Sequence, residues 1–254
     1  MLQAGEPPVY EILCEAGESP FLFTADHAGR QIPRLLGDLG VSAADMERHI
    51  AWDIGIAGVT RRLSAALQAT AILQNYSRLV IDCNRDPQRP SAFPEISEAT
   101  KIPGNQGLGA IARLARQQAI FDPYHAAITN LINSRQRSLF IAMHSFTPVY
   151  RGVARPMHVA VLYHRRPALS LHLAALLRAE PGLVVAENDP YQLSDEADYS
   201  VPTHAEQRGL DYLELEIRQD LIADAQGQQD WAERLTRLLP EALRRLDANE
   251  ASLP

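Results

Sequence analysis

Two histidines in this 254-residue chain stand where apolar runs give out: His27 ends "FLFTADH" (21–27) and His144 ends "SLFIAMH" (138–144). Two further runs finish in polar clusters. Asp82-Cys83-Asn84-Arg85 closes "LVIDCNR", and Glu216 with Arg218 follows "LDYLEL". Imidazole nitrogens and carboxylate oxygens are zinc ligands, and a catalytic zinc takes three protein ligands while leaving a position for water. His27 and His144 supply two, and Asp53 is the candidate third. Asp53, Ile56, Thr60, Leu63 and Leu67 fall on one helical stripe, which would turn the carboxylate inward near a helix start. Simpler roles exist for each. A histidine can be a loop residue or a hydrogen-bonded core residue, and Asp53 can simply favour the positive end of a helix.

Metal-assisted hydrolysis also requires a base. On a strand "YLELEIR", Glu214 and Glu216 share the face opposite Leu213, Leu215 and Ile217, and Glu216 lies closer to the carboxyl end. Glu216 is therefore the candidate base, with an ion pair to Arg218 or Arg85 as the alternative. Arginine suits forked binding of a carboxylate. Arg78 and Arg85 bracket "LVIDC", either as surface residues or, beside Asn84, as a clamp for an acidic substrate.

Positioning such groups requires strands and helices in alternation. Apolar runs predict strands at 20–25, 70–74, 79–83, 139–144, 157–163, 183–186 and 211–217. Ser42-Ala-Ala-Asp45 has the form of a capping box ahead of a helix marked by Trp52, Ile56, Val59, Leu63 and Leu67. Asp122-Pro123 predicts another start, with Tyr124, Ile128, Leu131 and Ile132 as its apolar stripe. Trp231, Leu235, Leu238, Leu239, Ala242 and Leu246 mark a last helix with a kink expected at Pro240. The longest candidate loop, 84–107, holds four prolines. This alternation predicts an α/β fold, three layers α/β/α around a mainly parallel mixed sheet, hydrolase- or phosphorylase-like, with 1–254 as one domain. Ligands of such sheets bind at the carboxyl ends of strands.

Lys+Arg 24 against Asp+Glu 31 leaves a formal charge of -7 and no basic block, which argues against nucleic acid as a partner. Cys14 and Cys83 form no metal-type pair, and the first residues show no charged segment followed by a long apolar one. A cytoplasmic protein is expected, with no membrane partner, as a monomer or homo-oligomer. A serine hydrolase would use Ser145 beside His144, but no GxSxG surrounds it. A binding protein that senses an acidic small molecule is the other class of reading.

"ADHAGRQIP", "YSRLVIDCNRDP", "AMHSFTP" and "LELEIRQDL" resemble the motifs of the N-formylglutamate amidohydrolase family, in order, from about residue 10 to about residue 225. The resemblance implies a hydrolase related to zinc exopeptidases, with one divalent metal, zinc, and an N-acyl amino acid such as N-formylglutamate as substrate. "VIDCNRDP" is also similar to the DxNR segment of zinc carboxypeptidases. That similarity implies that Asn84 and Arg85 hold the substrate's α-carboxylate, Arg78 polarises the scissile carbonyl and Glu216 is the base. The HxxE pair of those enzymes is missing, because Ala28-Gly29-Arg30 follows His27. The missing ligand must come from elsewhere in the chain, with Asp53 as the candidate. "TPVYRGVARPMHV" and "ENDPYQLSDEADYSVPTHAEQRG" resemble a less understood branch of the family, and Arg151, Arg155, Tyr191, His204 and Arg218 are candidate pocket residues.

Overall fold

The structure, a computed structural model, describes residues 1–250. In chain order it runs β1 (Tyr10–Leu13), β2 (Phe21–Ala25), α1 (Ala43–Met46), α2 (Ile56–Leu67), β3 (Thr70–Gln74), and a hairpin of β4 (Ile96–Ser97) and β5 (Thr100–Lys101). It continues with α3 (Ala110–Arg116), α4 (Asp122–Asn133), β6 (Leu139–Phe146), and a hairpin of β7 (Val149–Tyr150) and β8 (Val153–Ala154). The remainder is β9 (Val159–Leu162), α5 (Ala168–Arg178), β10 (Val185–Glu187), β11 (Tyr212–Arg218) and α6 (Ala225–Glu250), with Pro240 inside α6.

Seven strands form one sheet in the order β1-β3-β2-β6-β11-β9-β10. β1 pairs antiparallel with β3, and β11 antiparallel with β9; the other four pairings are parallel. Strand alternation sends side chains to two covers. Phe21, Phe23, Ile141, Met143, Leu213 and Leu215 pack with residues of α2, α5 and α6. On the opposite face, Leu22, Phe140, Ala142, Ala160 and Tyr212 pack with α4 and the chain between residues 76 and 102. The result is the three-layer α/β/α arrangement, with a mixed, mainly parallel sheet. Among the described residues, no helix is long and apolar enough to cross a membrane.

Residues 79–83 are not the expected strand. Leu79, Val80 and Ile81 are buried, as their composition demands, but they form turns whose carbonyls bond to side chains. Asn105 Nδ2 donates to Leu79 O at 2.8 Å, Arg116 Nη1 to Val80 O at 2.9 Å, and His125 Nε2 to Cys83 O at 2.9 Å. Three distant side chains replace a neighbouring strand, and an apolar run cannot reveal that substitution. β1 was not expected, since its four residues are only half-buried at the sheet's edge. The helix around Asp122 begins earlier, at Ala110, and passes through a π-turn at Gln117–Phe121 just before Pro123. The loop 84–107 carries the β4–β5 hairpin.

Ser42 caps α1, accepting from Asp45 N at 3.1 Å, but that helix lasts one turn. α2 starts only at Ile56, so Asp53 sits in the turn ahead of it instead of on its stripe. Gly55 makes the turn possible, with φ of 84° and a backbone so close to Ile222 that a Cβ would meet its carbonyl oxygen at 2.1 Å. A Gly55→Ala substitution is expected to cost about 1–3 kcal/mol in urea unfolding. Unchanged stability would contradict this account of the turn.

Candidate active site

The chain leaves β2, crosses through α2 to β3 on one side, and later returns to β6 on the other side of β2. Strand order reverses there, and a crevice opens at the carboxyl ends of β2 and β6. His27 follows β2 by two residues, while His144 lies within β6, opposite Glu216 of β11. Asp53 is drawn to the same point by its backbone: Asp53 N donates to His27 O at 2.9 Å. Ser145 N donates to Asp53 Oδ2 at 3.3 Å, and Ser145 Oγ donates to Ile54 O at 3.0 Å.

The three side chains converge. A ligand atom from each of His27, Asp53 and His144 lies within 4.8 Å of the other two, and all three residues are buried. His144 Nδ1 is 3.0 Å from Asp53 Oδ2, and His27 Nδ1 is 3.5 Å from the same oxygen. The far edge of the His27 ring is fixed, because Nε2 meets Asp82 Oδ1 at 2.7 Å. Asp82 is held in turn by Arg78, whose Nε and Nη2 reach Oδ2 at 3.1 and 2.7 Å. Asp26 plays a quieter part, accepting from the Tyr124 hydroxyl at 2.7 Å and standing 3.8 Å from His144 Nε2.

Electrostatics follow from these pairings. Burial opposes charge on both carboxylates, yet His27 and His144 pull Asp53 down, and Arg78 and His27 pull Asp82 well down. Burial and Arg78 work against a charged His27, but Asp82 and Asp53 outweigh them and its pKa rises. His144 likewise rises well above the usual range despite burial, through Asp53, Glu214 and Glu216.

The donor set fits a divalent ion. Two nitrogens and a carboxylate oxygen suit zinc, and a carboxylate behind a ligating imidazole, here Asp82 behind His27, is the usual support. His27 Nδ1, facing Asp53, makes no hydrogen bond in the buried centre.

A cavity of about 340 Å³ opens onto the cluster, lined also by Arg78, Asn84, Arg85, Tyr191, Asp198, Glu214 and Glu216. Glu216 has a buried Oε2 without a partner, and burial lifts its pKa to about 7 against the pull of His144. Neither Arg85 nor Arg218 pairs with it. Because residues 79–83 turn back, Arg78 and Arg85 face one cavity instead of opposite strand ends. Arg78 Nη1 stands 3.5 Å from Asp53 Oδ1. Arg85 Nη1 donates to Asn84 O and Ala197 O and lies 3.4 Å from Asp198 Oδ1. Asn84 is engaged at both ends of its amide: its Oδ1 accepts from Tyr199 N and Ser200 N, both at 3.0 Å, and its Nδ2 donates to Asp198 at 3.1 Å. It fastens the 197–200 wall of the cavity.

Arg218 and His204 are not brought to the cavity. Arg218 turns back to Asp220 and to the carbonyls of residues 155–157. His204 is buried against His125, Nε2 to Nδ1 at 2.8 Å, and burial lowers both pKa values. Arg155 donates to the Tyr191 hydroxyl at 3.1 Å, and Arg151 rests on Tyr150 in the β7–β8 hairpin. Asp82, Asp26 and Asp198 carry the network without a role assigned from sequence. The one available signal was the Arg78/Asp82 spacing, which reads as an ion pair only once a turn or helix is assumed.

The family model described as N-formylglutamate amidohydrolase matches residues 19–223. A gene product of Agrobacterium tumefaciens is 36% identical in sequence over 97% of this chain and 99% of its own, with a TM-score of 0.93. The N-formylglutamate amidohydrolase of Ralstonia eutropha shares the fold at 20% identity, covering 94% of this chain and 98% of that one with a TM-score of 0.68. No curated protein matches the chain in sequence.

Calorimetric titration of metal-free protein with zinc should find about one tight site, lost in His27→Ala, Asp53→Asn and His144→Ala alike. Since both rings hold their protons more firmly than free histidine, protons must leave on binding, so affinity should rise with pH. Undiminished binding by any one of these variants would remove that residue from the site.

Proposed function

The chain belongs to the N-formylglutamate amidohydrolase family, amide-bond hydrolases, and from that premise we propose that it hydrolyses the amide of an N-acyl amino acid with the help of one zinc ion. N-formylglutamate, which would give formate and glutamate, is the compound named in the family's description. The observation that carries the reading is the convergence of His27, Asp53 and His144 on one cavity with the unpartnered carboxylate of Glu216. Cavity residues drawn from His27 through Glu216 favour a single amidohydrolase domain.

A divalent ion held by His27, Asp53 and His144 would draw electron density from the scissile carbonyl and acidify the attacking water. Arg85 receives the substrate carboxylate. Arg78, kept charged by Asp82 and Asp53, faces the carbonyl oxygen as negative charge develops there. Glu216 takes the proton as the water oxygen bonds to the carbonyl carbon, then passes it to the amide nitrogen as the C–N bond breaks. A pKa of about 7 suits a group that must both accept and return a proton near neutral pH. Asn84 and Asp82 act at one remove, the first on the cavity wall and the second on the His27 ring.

Formate release from a panel of N-formyl amino acids should be detectable with zinc-loaded protein and disappear with a chelator. Glu216→Gln should keep its zinc and lose turnover by on the order of 10²–10⁴-fold. Near-native turnover in that variant would contradict the role of Glu216.

A further inference from the structure

One residue lining the cavity has no task in the hydrolytic reading. Glu214 is 3% exposed, and its Oε2 has no hydrogen-bond partner. It shares the face of Glu216, one pleat further from the carboxyl end of β11, level with Ala142 on β6 and Leu162 on β9. Ala142 lies between Phe140 and His144 on the same face of β6, so β6 sets only a methyl group directly beside Glu214. Asp198, Glu216 and Asp26 act on Glu214 as like charges, and His144, which acts on it with the opposite sign, stands 3.0 Å from Asp53. The ion pairs of the two cavity arginines are with other carboxylates, Arg78 with Asp82 and Asp53 and Arg85 with Asp198, and not with Glu214. Burying a carboxylate with no donor costs several kcal/mol. A retained proton is one way to relieve that cost, and burial with the neighbouring carboxylates pushes the Glu214 pKa up. A ligand that brings its own cation relieves it better.

We propose that Glu214 is a specificity residue, receiving the positively charged end of the substrate side chain while Arg85 receives the carboxylate, so that the preferred substrates are N-acyl derivatives of a basic amino acid. This inference rests on the reading of the cavity as the hydrolytic site. It narrows the substrate by its side chain and departs from the doubly acidic compound in the family's description. A cavity of about 340 Å³ accommodates a molecule of that size, with opposite charges at its two ends.

The test compares N-formyl-lysine, N-formylnorleucine, which lacks the ammonium, and N-formylglutamate. Binding is read by calorimetry in the Glu216→Gln background, with Glu214 intact or changed to Gln, and formate release is followed in the wild type. The lysine derivative should bind at least about 10-fold more tightly than the norleucine derivative, and Glu214→Gln should reduce that preference to within about 3-fold. Equal binding of the two, a preference that survives Glu214→Gln, or tighter binding of N-formylglutamate would overturn the assignment. The ratio in the Glu214-containing protein needs no further variant, so a poorly folding Glu214→Gln leaves it decisive. Lysine preference without formate release from any compound would sink the hydrolytic reading alone. Formate release at least as fast from the norleucine or glutamate derivative would sink the present inference alone.

Discussion

Asp53 faces two imidazoles at a buried point reached by the cavity, and the surrounding structure is arranged around keeping that meeting stable. Ionised groups out of water are tolerated only when paired, and removing one member of a buried pair leaves a charge that costs about 3–5 kcal/mol. Each member here has its counterpart: Asp53 lies against His144 and His27, His27 against Asp82, and Asp82 against Arg78, which reaches back to Asp53. The loop is closed. Its members come from four separate stretches of chain, so the fold must deliver all of them together.

Backbone placement does that work at each corner. The Asp53 turn is tied to the His27 loop and to Ser145, and Gly55 lets it press against Ile222. The segment bearing Arg78 and Asp82 hangs from Asn105, Arg116 and His125 by its carbonyls. His125 has a further consequence. A carbonyl can only accept, so His125 Nε2 is the donor to Cys83, and the neutral ring then accepts from His204 at Nδ1. The His125–His204 pair therefore supports the Asp82–Arg85 segment from behind, which explains two buried histidines outside the cavity.

The sequence was legible where burial and strand period speak directly. Phe21–Ala25, Leu139–Phe146 and Tyr212–Arg218 are apolar on one or both faces and long enough to be recognised, and they carry or directly precede His27, His144 and Glu216. Legibility failed where a segment is apolar but paired through side chains. Residues 79–83 have the composition of a strand, and nothing local marks Asn105, Arg116 and His125 as their partners. Asp53 does meet His27 and His144, but not by the route its spacing suggested, since its helical stripe is interrupted by the Gly55 turn and a loop bond to His27 O aims it. Arg218 and His204 show the opposite error: chemistry-bearing types near the motifs that spend their hydrogen bonds on nearby backbone and on another ring.

The central claim, that His27, Asp53 and His144 form a metal centre, is tested most directly by anomalous diffraction at the zinc edge on crystals grown with zinc. One strong peak among His27, Asp53 and His144 is the predicted result. A second acidic group, His164, Asp195 and Glu206, lies apart and is already bridged by Arg165. A peak there with none at the buried triad, or no peak at all, would contradict the account.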